Sequence, residues 1–348
     1  MGNVYTKSGA LARRIYFGAT LIFESLYALF RTRVLNDGGT FLEIELPYTI
    51  DSEILLLTPN AYKVGKLYSA KPTNGTGDFT VVRNSTATYV GQDGLIKTAL
   101  ANEVRLDWST GVPVVLLEPQ RTNLITYSED FSNNSWIKAA VSVYLNQTIS
   151  PDGNVNAGKV VFNGDSSSRL SQNVVFIDDT NYVFSSYVKN INMTNDIYGV
   201  VFFLNNGTTA YVVFNINNGS VDVNDIAKTT SSIKNVGNGW FKINIMFNSL
   251  IGTASNNIRA AFVVSGTTQI GDSLYLWGAQ LEQASTASSY IPTNGTTVTR
   301  LADNISVPTP AGVTSITETI DGVEQTPITT IPATYSLPVG NINKVTTL

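Results

Sequence analysis

The stretch "RLSQNVVFIDDTNYVFSSYVKN", Arg169 to Asn190, decides the fold that this sequence predicts. Apolar and polar side chains alternate in both of its halves, as in strands that bury one face, and a turn around two aspartates separates the halves. Comparable segments, divided by clusters of Asn, Gly, Ser and Thr, continue from Asn123 to about Asn304. About eight such strands at this spacing predict a two-sheet sandwich or jelly roll.

Upstream of the sandwich, residues 1–71 and 72–122 have different textures. "RIYFGATLIFE" predicts a hairpin broken at Gly18, and "SLYALFRTRVL" has helical spacing before "NDGG". We therefore expect a small α+β domain at residues 1–71. "KPTNGTGDF" then predicts a linker, and short strands up to Pro119 predict a β-rich collar over residues 72–122.

Residues 305–348 are rich in Thr, Pro and Ile, with a hairpin signal at Asp321-Gly322. The segment is too short for a good core of its own, so we expect an extended β tail that pairs with a neighbouring chain or domain. The predicted fold class is thus mainly β, with a jelly-roll sandwich over residues 123–304, an N-terminal attachment domain and a C-terminal β tail.

The composition excludes several kinds of catalytic and metal site. The 348 residues are 43% hydrophobic and 14% charged, with a net charge of −4, and they include neither cysteine nor histidine. The chain therefore has no disulfide, no thiolate or imidazole zinc site and no Ser-His-Asp triad. Without a basic surface we expect no nucleic-acid partner. The apolar run Ile15–Phe30 contains Glu24 and falls short of the roughly 20 residues of a spanning helix, so we expect no membrane insertion.

"LEPQRTNLITYSEDFSNNSW", Leu117 to Trp136, leads from the collar into the sandwich. We expect Arg121 and Asn123 to fix this junction by hydrogen bonds to backbone carbonyls or to Glu118, because an arginine offers five donors and a permanent charge.

The same stretch permits an enzymatic alternative. Glu118, Glu129 and Asp130 are candidates for the acid and base of a glycosidase, which needs two carboxylates about 5–9.5 Å apart across a cleft. Acidic residues in turns are more often simply solvated.

Tryptophans are the candidates for stacking on a sugar. Trp240 and Trp277 lie inside predicted strands and are expected in the core, and Trp108 is expected to pack in the collar. Trp136 lies in a polar, turn-rich stretch and is the candidate for an exposed ring. With Asn134 and Arg169 it forms the predicted ligand-binding set.

Several segments carry a resemblance to known proteins. Arg169–Asn190 resembles the glutamine-strand and Tyr-x-Phe-Ser strand pair of carbohydrate-binding jelly-roll modules of the family 4/9 type. The wider pattern is similar to bacteriophage virion proteins of the fibre or appendage kind, from phages of Bacteroidetes-type hosts. The segments that carry it, within roughly Leu55 to Asn304, are "STATYVGQDGLIKTALANEVRLDW", "LLEPQRTNLITYSEDFSNNSW", "YLWGAQLE" and "SYIPTNGTTVTRLAD".

The resemblance implies a virion structural protein on the particle surface. Its N-terminal block would contact other virion proteins, and its jelly roll would bind host surface glycan without catalysis or cofactor. A homo-oligomer, expected to be a trimer, would add multivalency. The alternatives are a purely architectural decoration or joint protein, which an exposed apolar patch would favour, and a polysaccharide depolymerase.

The resemblance also implies that structural Ca²⁺ is frequent in such jelly rolls. Asp178 and Asp179 in "FIDDTNY" are the candidate oxygen ligands, although adjacent aspartates are also ordinary turn residues.

Overall fold

The computed structural model describes part of the chain. The described residues are 15–17, 20–23, 33–35, 41–43, 53–59, 61–164, 168–193, 197–203, 209–224, 229–249, 258–263 and 270–348. They form strands and turns, and none of them is helical. Within these ranges no helix is long and apolar enough to cross a membrane. Most of the helix predicted in "SLYALFRTRVL" lies outside the described residues, and its last three residues form a strand.

The strands are numbered along the chain. Those of the N-terminal part are β1 Ile15–Phe17, β2 Thr20–Phe23, β3 Arg33–Leu35 and β4 Phe41–Glu43. The next group is β5 Leu56–Leu57, β6 Tyr62–Lys63, β7 Lys66–Leu67, β8 Phe79–Val82, β9 Ala87–Val90, β10 Ile96–Ala99, β11 Leu106–Asp107, β12 Val114–Leu117 and β13 Arg121–Asn123. The central group is β14 Ile137–Ala139, β15 Val141–Ile149, β16 Val155–Phe162, β17 Arg169–Val174, β18 Thr180–Asn190, β19 Ile197–Phe203, β20 Thr209–Asn215, β21 Ser220–Asn224, β22 Thr229–Gly237, β23 Trp240–Ser249, β24 Ile258–Val263 and β25 Ser273–Glu282. The last group is β26 Val298–Arg300, β27 Asn304–Pro308, β28 Ile316–Ile320, β29 Val323–Glu324, β30 Thr334–Ser336 and β31 Gly340–Thr347.

Strands β14 to β25 form the large sandwich, two antiparallel six-stranded sheets. One sheet has the order β14-β17-β24-β19-β20-β21 and the other β15-β16-β25-β18-β23-β22. Alternating side chains of both sheets meet in one core, which includes Leu170, Phe184, Phe214, Ile243 and Leu276. Burial of this apolar surface is the main favourable term that holds the sheets together. The predicted mainly β, jelly-roll sandwich fold is confirmed.

Strands from both sides of the large sandwich in sequence, namely β5 to β8, β11, β12 and β27 to β31, form the small sandwich. One of its sheets has the order β11-β12-β31-β28-β29, with β5 paired to β31, and the other has the order β30-β27-β8-β7-β6. The core between them contains Phe79 and Val115 from the N-terminal side and Val307, Tyr335 and Ile342 from the C-terminal side. The C-terminal segment therefore pairs with a neighbouring domain of its own chain. Domain boundaries at residues 71, 122 and 304 stay a prediction.

Two predicted hairpins are confirmed. Strands β1 and β2 pair antiparallel, as predicted for residues 14–24, and β28 pairs with β29 around Asp321-Gly322. Asp321 and Gly322 have φ values of 52° and 78°, which is the left-handed conformation that a two-residue type I′ turn requires.

The β9–β10 hairpin lies between the two sandwiches. Ile96 packs in a small aromatic cluster with Trp240 and Trp277 of the large sandwich and with Tyr290, which follows β25. The hydroxyl of Thr88 donates a hydrogen bond of 2.5 Å to the carbonyl of Tyr290. The hairpin is thus fixed against the large sandwich and presents its other side to the small one.

Candidate functional site

A buried ionic network joins the collar strands to the end of the large sandwich. Arg105 and Arg300 both donate to the same oxygen of Glu118, Oε2, at 2.5 and 2.6 Å. Ser289 completes the arrangement, because its backbone N–H and its hydroxyl each donate to Glu118 at 2.7 Å. Charge-assisted hydrogen bonds of this kind are stronger than neutral ones, and they offset the cost of burying the ions.

Asp303 extends the network to the small sandwich. It accepts from Arg105 Nη2, from Arg83 Nη1 at 2.7 Å and from the backbone N–H of Glu118 at 2.8 Å. Asp303 lies some 200 positions from Arg83 and Arg105 in sequence. The network therefore holds together the two segments of the chain that connect the small sandwich to the large one.

The network fixes the ionisation of Glu118. Burial raises the pKa of this carboxyl, but Arg105 and Arg300 outweigh that effect and lower the pKa to about 2. A carboxyl that stays ionised cannot donate a proton, so Glu118 does not fit the role of a glycosidase acid. Its bonds with Arg105, Arg300 and Ser289 fit the predicted junction role.

Of the other two predicted junction residues, Asn123 is fully bonded. Its amide group donates to the carbonyls of Ala279 and Ile291 at 3.2 and 2.8 Å and accepts from the N–H groups of Ile125 and Leu281. Arg121 instead bonds the neighbouring carbonyl of Gln120. Arg105 and Arg300, rather than Arg121, bind Glu118. Arg105 precedes β11 and lies 13 positions from Glu118 in sequence, whereas Arg300 ends β26 and lies 182 positions away.

The structure corrects the expectation for Trp136. Its side chain is 1% exposed, packs on Phe131 at a ring-centroid distance of 5.1 Å, and donates from Nε1 to the carbonyl of Tyr127 at 2.8 Å. The ring is therefore part of the core and is not exposed for stacking on a sugar. Trp240 and Trp277 are also buried. The polar neighbours of Trp136 line the turn, while its own indole turns inward.

The other predicted ligand residues lie apart from each other. Asn134 is exposed and lines an open pocket of about 510 Å³ with Thr126, Gln172 and other residues. Arg169 is half-buried at the start of β17 and is not among the described lining residues of that pocket.

The two aspartates of the predicted cation site are both exposed. Asp179 has a φ of 48°, and the carbonyl of Asp178 accepts from the hydroxyl of Thr180 at 3.0 Å, as in ordinary turn chemistry. In the described part of the chain, no three acidic side chains come together as metal ligands. Calcium at this turn stays a prediction.

The remaining candidate acids are also held by neighbours. Asp130 accepts from Ser132 and Asn133 within its own turn. Glu129 accepts from the hydroxyl of Tyr290 at 2.8 Å and from the Asn156 amide at 3.1 Å, and burial raises its pKa. These bonds account for both residues structurally.

An open groove of about 790 Å³ lies where the β9–β10 hairpin meets the small sandwich. Three aromatic side chains line it: Tyr62 from β6, Tyr89 from β9 and Trp108, which follows β11. All three residues are half-buried, and each contributes to the lining of the groove. Aromatic faces of this kind bind apolar surface at little cost in conformational entropy.

The polar side of the groove comes from the hairpin turn and from β10. Asp93 and Lys97 form an ion pair of 2.8 Å. Gly94, with a φ of 77°, allows the tight turn that places Asp93 there, and the N–H of Leu95 donates to Asp93 Oδ1. Burial, followed by the neighbouring Tyr89 and Glu103, raises the pKa of Tyr62 to about 12, so its phenol stays neutral and able to donate.

Two hydrogen bonds hold Trp108 beside the β9–β10 hairpin. Its N–H donates to the carbonyl of Val90, and Asp107 accepts from the N–H of Val90, which ties the end of β11 to the hairpin. The sequence predicts that Trp108 packs in the collar, and the structure places it half-buried in the lining of the groove. In the sequence, all three rings lie close to predicted turns. The contacts that bring the rings together are not local in sequence.

Comparisons with known proteins leave the family open. No family model and no curated protein matches the chain. Among solved structures, the CBM22-1–GH10 modules of Clostridium thermocellum endo-1,4-β-D-xylanase 10B, complexed with xylohexaose, are 13% identical over 50% of this chain, with a TM-score of 0.31. The enzymatically active domain of bacteriophage CBA120 tailspike protein 4 is 13% identical over 46% of this chain, with a TM-score of 0.30. The chain spans only 30% and 21% of those two structures.

A third similar structure is a single module. The C-terminal family 22 carbohydrate-binding module of the same xylanase is 12% identical over 48% of this chain and 96% of that chain, with a TM-score of 0.32. Scores this low carry no argument about this protein, so its function has to be argued from its own residues.

Proposed function

We propose that this protein is a glycan-binding structural protein of a bacteriophage virion, of the fibre or appendage kind. The observation that supports glycan binding is the open groove with the three rings of Tyr62, Tyr89 and Trp108 beside polar groups. The apolar faces of a sugar ring pack on aromatic side chains, while its hydroxyl groups need hydrogen-bond partners at the edge. The groove supplies both kinds of contact on strands fixed by the buried ionic network.

The virion location rests on the resemblance of the ordered segments between Leu55 and Asn304 to fibre and appendage proteins. In this proposal the N-terminal block contacts other virion proteins and the groove faces the host surface. The protein binds without catalysis. A homotrimer would present three grooves to one surface and raise the avidity of a weak single site. Sedimentation of the full chain tests this part, and a monomer would contradict it.

A glycan array with the full chain tests the binding proposal. Saturable binding is expected, and Trp108→Ala should weaken it at least about tenfold, because such a ring is the central anchor of its site. The matched control is Tyr144→Ala, which removes another exposed ring, on β15, that does not line the groove. Binding that survives Trp108→Ala, or no binding by the folded oligomer, would contradict the proposal.

One observation favours the architectural alternative. Ile149 and Val155 lie opposite each other on β15 and β16, and both are more than half exposed. Exposed apolar side chains that lie together can form part of a contact with another protein. Replacing both with Ser should leave glycan binding intact and should weaken incorporation into particles if this alternative is right.

A further inference from the structure

The charges in the aromatic groove carry an inference that rests on the proposed function and deepens it. Among the described lining residues only Asp93 and Lys97 are charged, so the lining has no net charge. Their side chains are 51% and 39% exposed, and Lys97 Nζ lies 2.8 Å from Asp93 Oδ2. The pair is therefore accessible to a ligand while each charge neutralises the other.

From this arrangement we infer that the groove selects uncharged saccharides, and that the Asp93–Lys97 pair is its specificity element. A sugar hydroxyl both donates and accepts hydrogen bonds. A neutral sugar can therefore donate to the Asp93 carboxylate and accept from the Lys97 ammonium without separating them. The ion pair acts as a matched donor and acceptor beside the rings.

A uronate, which carries a carboxylate, would interact less favourably with the pair. Its carboxylate could pair with Lys97 only by competing with Asp93, and it would then lie close to a second negative charge. The side-chain hydrogen bond from Lys97 lowers the pKa of Asp93, which keeps that carboxylate ionised and opposed to an acidic sugar.

The hairpin turn holds the specificity element in place. Asp93 Oδ1 accepts from the N–H of Leu95 at 3.1 Å, and the N–H of Gly91 donates to the carbonyl of Leu95 at 2.8 Å. The stem of Lys97 passes closely over Gly91, where an added Cβ would lie 3.1 Å from Lys97 Cγ. The pair is thus positioned by the backbone and does not depend on the ligand for its geometry.

The test uses the full chain on matched oligosaccharides of equal linkage and length, one of glucose and one of glucuronate. The wild-type protein should bind the glucuronate form at least about fivefold more weakly, the scale of one unscreened repulsion at short range in water. Asp93→Asn keeps the acceptor for Leu95 but leaves Lys97 unpaired, so the preference should disappear or reverse. Lys97→Gln should increase the rejection of glucuronate.

Glu324→Gln is the matched control, because it removes one negative charge from an exposed residue outside the groove lining. It should leave the preference unchanged. Equal binding of both oligosaccharides through Trp108, or a preference that Asp93→Asn does not alter, would overturn this inference and leave the glycan-binding proposal standing. Absence of binding to any saccharide on the array would overturn both.

Discussion

In the large sandwich, Trp136, Trp240 and Trp277 lie in the core, each no more than 2% exposed. In the small sandwich and its adjoining hairpin, Tyr62, Tyr89 and Trp108 are half-buried around an open groove. The difference follows from position in the sheets. Trp136 packs in the core between the two sheets, and Trp240 and Trp277 pack in the aromatic cluster with Ile96 of the β9–β10 hairpin, whereas Tyr62, Tyr89 and Trp108 line an open groove. Ring type alone therefore does not identify a sugar platform.

The two sandwiches also differ in how the chain builds them. The large one comes from a continuous stretch, while the small one joins β5 to β31 and β8 to β27 across more than 200 residues. Such a closure needs a firm junction, because each non-local pairing carries a loop-closure entropy. The network of Arg105, Glu118, Arg300 and Asp303 supplies it.

The largest effect is expected from replacing a buried and a partly exposed tryptophan, one at a time, with alanine. Trp136→Ala should lower the free energy of unfolding by roughly 3–5 kcal/mol, because it leaves a large cavity in the core. Trp108→Ala should cost less, about 1–2 kcal/mol, since its side chain is only partly buried. Urea unfolding followed by far-ultraviolet circular dichroism measures both, and similar losses for the two variants would contradict the comparison.

The second prediction concerns the pH dependence of the junction. The pKa of Glu118 is lowered from 4.5 to about 2 in the folded chain, so its stabilisation is present above pH 4.5 and is lost as the pH falls toward 2. Glu118→Gln should therefore remove about 3 kcal/mol of stability at neutral pH and flatten the acid limb of the stability curve. Glu324→Gln, at an exposed position, should leave that limb unchanged. A wild-type curve that is already flat between pH 4.5 and 2 would contradict this assignment.

The smallest effect is expected at the entrance to the large sandwich. Asn123→Ala removes a buried amide that makes four hydrogen bonds and leaves its partners unsatisfied, which should cost about 1–3 kcal/mol. Asn134→Ala, an exposed change a few residues away, should stay within about 0.5 kcal/mol. Thermal unfolding of the two variants distinguishes them, and equal stabilities would show that the junction does not depend on Asn123.

Local pattern was sufficient for the strands and turns. The alternation in "RLSQNVVF" and "NYVFSSYVKN" predicted β17 and β18, and Asp321-Gly322 predicted its hairpin, because these features depend on neighbours in sequence. The sequence could not show that residues of the collar and the tail share a core, nor that Arg105 and Arg300 take the place expected of Arg121. The contacts of Arg300 with Glu118 and of Arg105 with Asp303 join residues 182 and 198 positions apart.

The candidate site was missed for the same reason. Trp136 was chosen because its neighbours are polar, but its indole lies on the inner side of the turn, where Phe131 covers it. Tyr62, Tyr89 and Trp108 come from β6, from β9 and from the segment after β11, and tertiary contacts bring them to one groove. An exposed platform is a property of tertiary packing that periodicity does not encode.

The most direct test of the groove is acrylamide quenching of tryptophan fluorescence, with and without the strongest binding oligosaccharide from the array. Trp136, Trp240 and Trp277 are buried, so collisional quenching should come from Trp108 and should vanish in Trp108→Phe. Saturating oligosaccharide should protect the wild-type protein to the level of that variant. Saturable binding that leaves the quenching of Trp108 unchanged would place the glycan elsewhere and contradict the account.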